Sequence, residues 1–186
     1  MNYNRLQRLL IQITEITLLV SIMAGCGYTT RSMISDKFRT IYVTPFVNKI
    51  NITQEDSVAS KYKLYRPSLE TDITRSVTNK FLFDGNLRPT RGETADLVLK
   101  AELVGFRKDP LRYSTNDEVL EYRISLVVNI SLLDTKENKL AWKEDNFAGE
   151  STYFTTGSQA KSEEAAISDA ISDLARRIVE RTVEQW

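Results

Sequence analysis

Between Val119 and Leu133 the apolar side chains fall on every second position: Leu120, Tyr122, Ile124, Leu126, Val128, Ile130 and Leu132. A period of two held over that length predicts a strand with one buried face, because successive side chains of a strand point to opposite sides. Glu121, Arg123, Ser125, Asn129 and Ser131 then share the other, polar face. One long half-apolar strand needs strand neighbours and a covering layer, and the rest of the chain supplies both. Ala95 to Phe106 repeats the pattern, with Leu97, Leu99, Ala101 and Leu103 on one side and Lys100 and Glu102 on the other. The polar stretch 134–138 has hairpin length, and Lys139 to Tyr153 resumes an extended character with Leu140, Trp142, Phe147 and Tyr153, so this pair should be antiparallel. Arg39 to Phe46 is rich in β-branched and aromatic residues and stops near Pro45. It reads as a first strand at or near a sheet edge, with Ile41 and Val43 facing the core.

Two segments switch to the helical period. Pro67 can open a helix, Glu70 and Asp72 suit the positive end of its dipole, and Leu69, Ile73, Val77 and Phe81 recur every four residues before Gly85 closes it. From Ser158 to Gln185 the stripe Ala166, Ile167, Ala170, Ile171, Leu174, Ile178 and Val179 marks a long amphipathic helix. The order strand, helix, strand, strand, strand, helix predicts an α+β two-layer sandwich: one mostly antiparallel four-stranded sheet with both helices on a single face. Between the first strand and first helix, residues 48–66 show no periodicity and read as a long loop. Its Lys61, Tyr62, Lys63, Tyr65 and Arg66 are better explained as solvated side chains than as a ligand site.

Composition removes whole classes of function. The chain has 186 residues, no histidine and one cysteine, so the commonest general base and metal ligand are missing and no internal disulfide or zinc cluster can form. Twenty-five basic side chains balance twenty-five acidic ones, which leaves no basic field for nucleic acid. There is no GxSxG elbow, and the seven glycines are scattered and build no phosphate cradle. Adjacent carboxylates such as Glu163 and Glu164, or Asp117 and Glu118, diverge on regular structure and read as surface charge. No catalytic residue, metal site or cofactor is expected.

The single cysteine has a different explanation. Arg5 and Arg8 precede an apolar run from Ile16 to Ala24, too short to span a membrane, which needs about 20 residues. The run ends in Met23-Ala24-Gly25-Cys26, which resembles the lipobox of bacterial lipoproteins. Residues 1–25 are then a signal peptide, Cys26 the acylated N-terminus, 26–38 a tether and 39–186 one domain. Acyl chains contribute about 0.8 kcal/mol per buried CH₂, so three chains hold a domain on a bilayer essentially permanently. A plain secreted chain with an unpaired thiol is the other reading.

The mature chain resembles the lipopolysaccharide-assembly lipoprotein LptE family through a series of short words in order. Cys26-Gly27-Tyr28 follows the leader, then come Ile41 to Asn48, Leu69-Glu70-Thr71-Asp72-Ile73, Ala95-Asp96-Leu97-Val98-Leu99, Glu121-Tyr122-Arg123-Ile124, Leu140-Ala141-Trp142 and Ala165-Ala166. The resemblance implies a lipoprotein on the periplasmic side of the outer membrane that plugs the lumen of the LptD β-barrel and helps deliver lipopolysaccharide to the outer leaflet. Gly27 after the cysteine suits outer-membrane sorting as enteric bacteria practise it. The resemblance also implies contact with lipopolysaccharide, whose phosphates favour Lys or Arg, and Arg107, Lys108 and Arg112 beside Pro110 are the candidates. No binding residue of the family can be placed position by position. Other envelope roles share such folds: an accessory or activator subunit of a cell-wall synthase or secretion channel, or a small-ligand carrier.

Overall fold

The computed structural model describes residues 37–50, 67–92 and 94–184. The leader, Cys26 and most of the tether lie outside the described residues, as do residues 51–66 with Lys61, Tyr62, Lys63, Tyr65 and Arg66. The elements are β1 (Thr40–Val43), β2 (Val47–Asn48), α1 (Leu69–Asp84), β3 (Arg88–Pro89), β4 (Leu97–Tyr113), β5 (Val119–Asp134), β6 (Lys139–Phe154) and α2 (Glu163–Val183). Phe38, one residue inside the stretch read as tether, is already buried in the core.

The sheet has six strands in the order β3-β1-β4-β5-β6, with β2 lying beside β4. This corrects the expected four-stranded, mostly antiparallel sheet. β1 runs parallel to both β3 and β4, and β2 runs parallel to β4. The reason is the connection: α1 carries the chain back to the end of the sheet where β1 began, and a strand leaving from there is parallel to β1. Pro45, which has no N–H to give a ladder, separates β1 from β2. β3 is two residues long and has no periodicity to read. The β4-β5-β6 meander is antiparallel as expected, with Leu99 opposite Leu132 and Leu132 opposite Trp142.

β4 continues to Tyr113, so Arg107, Lys108 and Arg112 stand on a strand and not on a loop. Pro110 is tolerated there because, among the described residues, no strand pairs with the outer side of β4 past Leu103. The register shifts of β4 against β5 between Leu103 and Gly105 and between Pro110 and Tyr113 bend this free edge, which discourages another strand from adding to it.

Both helices lie on one face of the sheet and touch each other, with α2 resting on β5 and β6. Leu69, Ile73, Val77 and Phe81 of α1, and Ala166, Ile167, Ala170, Ile171, Leu174, Ile178 and Val179 of α2, are buried against Leu97, Leu99, Leu103, Ile124, Leu126 and Leu132 of the sheet. Gly149 sets the closest approach: a Cβ there would stand 2.4 Å from Leu174 Cβ. Gly85 ends α1 in the left-handed conformation, φ 79°, and its N–H closes on the Phe81 carbonyl. Ser162 caps α2 by accepting the Ala165 N–H at 3.1 Å. The outer edge of β6 is covered by α2: Glu150 N–H donates to Asp173 at 3.0 Å, and the Arg177 guanidinium donates to the Ala148 carbonyl.

Candidate functional site

The sheet face away from the helices mixes polar and charged side chains with a few apolar ones such as Val98 and Val127, and two ion pairs cross one end of it. Reading across one end of the meander, Arg112 faces Glu121 at 3.5 Å and lies over the Phe154 ring at 5.6 Å. Arg123 stands 3.9 Å from Glu150, which also accepts from Ser125 Oγ at 3.0 Å. Arg107 is opposite Ser125 in the same face. Ser125 stands on this polar face yet is buried, with its hydroxyl bonded to Glu150. Further along, Lys100, Glu102, Asn129, Ser131 and Lys143 line a shallow depression where β6 bulges away from β5. There Asn129 bridges the gap by accepting the Asn146 N–H at 2.9 Å.

The three candidate phosphate ligands do not converge. Arg107 and Arg112 stand on the polar face, but Lys108 is opposite Ile124 and so points to the helix side. Its ammonium meets Glu163, in the first turn of α2, at 2.5 Å and lies 4.3 Å from the Tyr122 ring centre. Tyr122 stacks on Tyr153 at 5.8 Å, and the Tyr153 hydroxyl donates to Glu163 at 3.4 Å. Burial works against the Lys108 charge, but the Glu163 carboxylate and the Tyr153 hydroxyl outweigh it and raise its pKa. For the Tyr153 phenol, by contrast, burial disfavours the ionised form and raises the pKa. This lysine pins the start of α2 to the sheet.

A second cluster fastens the incoming chain at the opposite end. The Asp96 carboxylate accepts from Arg39 N–H at 2.8 Å, from Thr40 N–H and Thr40 Oγ1 at 3.0 Å each, and pairs with Lys136 at 2.8 Å. Lys136 first, and the backbone donors after it, hold Asp96 well below the usual carboxylate range despite its partial burial. Lys37 reaches Asp134 at 3.2 Å and also bonds Glu137. Asp134 is buried, which disfavours its charge, yet the Glu137 and Lys136 N–H groups and Lys37 bring its pKa down. Phe38 lies under both Lys37 and Lys136. The sequence carried one signal for this latch, the Asp96 within Ala95-Asp96-Leu97, a charge flanked by apolar residues at the start of a strand. Its backbone partners Arg39 and Thr40, 57 and 56 positions away, and the distant Lys136 could not be read from spacing.

Among the described residues no group of three or more acidic or cysteine side chains is placed to hold a metal, and no helix is long and apolar enough to cross a membrane. A family model described as LptE, lipopolysaccharide-assembly, matches residues 38–182, from the first core residue nearly to the end of α2. The chain belongs to the LptE family. A comparison with curated proteins gives no match. Among solved structures, the chain is similar to a protein from Xanthomonas campestris, with TM-score 0.55, 13% identity and coverage of 84% of this chain and 93% of that one. It is also similar to a hypothetical protein from Chlamydia trachomatis, with TM-score 0.50, 12% identity and coverage of 78% and 95%. At such identities these likenesses concern the fold alone. Membership of the LptE family places the chain among non-enzymatic lipoproteins of lipopolysaccharide assembly.

Proposed function

We propose that this LptE-family protein is anchored by an acylated Cys26 to the periplasmic side of the outer membrane and serves as plug and assembly partner of an LptD-like β-barrel that delivers lipopolysaccharide to the outer leaflet. The observation that carries the reading is the family match over 38–182, which covers the sheet and both helices together. The surface chemistry supports it. The lumen of a large outer-membrane barrel is hydrophilic, and an outer sheet face that carries the pairs Arg112–Glu121 and Arg123–Glu150 and the bonded Ser125 suits such surroundings. Both long sheet edges are guarded, by bulges on β4 and by Asp173 and Arg177 on β6, so contact with a strand-rich partner need not end in edge-to-edge pairing.

Within this reading Arg107 and Arg112 are the groups offered to lipopolysaccharide phosphates, since a guanidinium matches a phosphate in fork geometry and the Arg112 side chain is exposed although it pairs with Glu121 and lies over Phe154. Lys108 is assigned to the fold. The test is a mild-detergent purification of the tagged protein from its own outer membranes, with mass spectrometry of the N-terminal peptide and of every co-purifying chain. A diacyl- or triacyl-Cys26 with a near-equimolar large outer-membrane barrel is expected. An uncleaved leader, or a periplasmic enzyme as sole partner, refutes the proposal.

A further inference from the structure

One corner of the domain differs in character from that sheet face. The last turn of α1 exposes two consecutive large apolar side chains, Leu82 at 62% and Phe83 at 84%. Lys80 is one helical turn before Phe83 and exposed on the same side. Three residues after α1 the chain enters β3, and Arg88 N–H donates to the Arg39 carbonyl at 2.8 Å, so Arg39 and Arg88 are neighbours at this corner, with Arg91 just past β3. All four cations are exposed, and among the described residues none has an ion pair, whereas Lys37 and Lys136 nearby are committed to carboxylates. Three carboxylates stand at the corner, each with a partner: Asp84 accepts from its neighbour Asn86 at 2.7 Å, Asp96 is held by Lys136 and the Arg39 and Thr40 N–H groups, and Asp173, which shares a groove with Lys80 and Phe83, pairs with Arg176. The corner is thus apolar at its tip and basic around it. It is also where the polypeptide enters the fold: Lys37 and Phe38 lead directly into Arg39 and β1.

We propose that this corner seats against an anionic phospholipid leaflet, with Leu82 and Phe83 in the headgroup boundary and Arg39, Arg88 and Arg91 on lipid phosphates. An exposed aromatic–aliphatic pair ringed by basic side chains is the chemistry of an interfacial contact: the apolar tip leaves water, and the long cationic side chains stay at headgroup level. Each cation near an anionic surface favours contact about fivefold, so the corner prefers anionic lipid to neutral lipid. The entry point supplies the second argument. From Cys26 to Lys37 the chain spans eleven residues, a reach of at most about 40 Å, and it starts the fold at this corner and not at the far turn 114–118. A lipid anchor at Cys26 therefore holds this end nearest the bilayer. The inference rests on the anchor of the proposed function and is independent of the barrel.

The test uses the acylated protein in vesicles of phosphatidylglycerol and phosphatidylethanolamine, without any barrel, so its outcome is separate from the co-purification above. Because Cys26 is the only native cysteine and is blocked by acylation, a fluorophore can be placed by Leu82→Cys, or by Asn116→Cys at the far turn as reference. Quenching by shallow spin-labelled lipid is expected to be at least about threefold stronger at position 82. Arg39→Glu with Arg88→Glu and Arg91→Glu should reduce it toward the reference, as should replacing phosphatidylglycerol by phosphatidylcholine. Phe83→Ser, at a position too exposed to affect folding, should weaken it in both lipids. Equal quenching at 82 and 116, or quenching at 82 that ignores the charge reversals, overturns the proposal.

Discussion

Replacing Gly149 by alanine tests how α2 is seated on the sheet. The added Cβ would stand 2.4 Å from Leu174 Cβ, 2.5 Å from Leu174 Cα and 2.6 Å from Leu174 N, where ordinary contact begins near 3.4 Å. Two of those atoms are backbone, so no rotamer change relieves the overlap, and α2 must lift by about 1 Å along the stretch where Ala170, Leu174 and Ile178 meet Leu126 and Ile124. Overpacking of this kind costs about 3 kcal/mol. With a urea slope of about 2 kcal/mol/M for a domain of this size, the unfolding midpoint should fall by about 1.5 M with the slope unchanged. Gly105→Ala is the control: its Cβ would meet Val127 Cβ at 3.3 Å, on the open face, and should cost less than about 1 kcal/mol. Adding Leu174→Ala to Gly149→Ala should restore nothing, because the backbone overlap remains. If Gly149→Ala costs no more than Gly105→Ala, or if Leu174→Ala rescues it, helix and sheet are not in the contact argued here.

Leu126→Asp or Val128→Asp buries an unpaired charge at a fully buried position and should abolish the folding transition seen by circular dichroism, a cost above about 4 kcal/mol. Asp96 and Asp134 have pKa values held below those of the unfolded chain. Their contribution is therefore complete at neutral pH and is lost as pH falls below about 5, so urea midpoints should drop with acid, and Asp96→Asn should flatten that dependence while lowering the neutral midpoint. Lys108→Ala removes the ion-pair partner of Glu163, leaving it only the longer Tyr153 hydrogen bond, and should destabilise the fold by about 1–2 kcal/mol with little effect on lipopolysaccharide retention. Arg107→Glu with Arg112→Glu should do the reverse, and retention unchanged in that double variant removes both arginines from the ligand surface.

Much of the architecture was legible because periodicity reports burial directly. The alternation in β5 from Ile124 to Leu132, the four-residue recurrence from Leu69 to Phe81 and the stripe from Ala166 to Val179 named core residues that are buried in the structure, whereas Leu120 and Tyr122 at the start of β5 are only partly buried. What failed to show were features without a period. β2 and β3 have two residues each, and the distal half of β4 looks like loop because Lys108, Asp109 and Pro110 break the pattern that a free edge does not require. The candidate site was legible in composition more than in geometry. Arg107, Lys108 and Arg112 were singled out as a cluster, but strand pleat sends Lys108 to the opposite face.

By itself the sequence determined the number and faces of the long elements, the absence of histidine and disulfide chemistry, and the lipobox-like words around Cys26, because each of these is written in neighbouring residues. Only the tertiary structure decided the direction of β1, the latch that Asp96 and Asp134 make with Lys136 and Lys37, and the exposure of Leu82 and Phe83 at the end of the domain where Arg88 bonds Arg39. Those depend on contacts between residues tens of positions apart, and local pattern carries no information about which distant segments a helix crossover brings side by side.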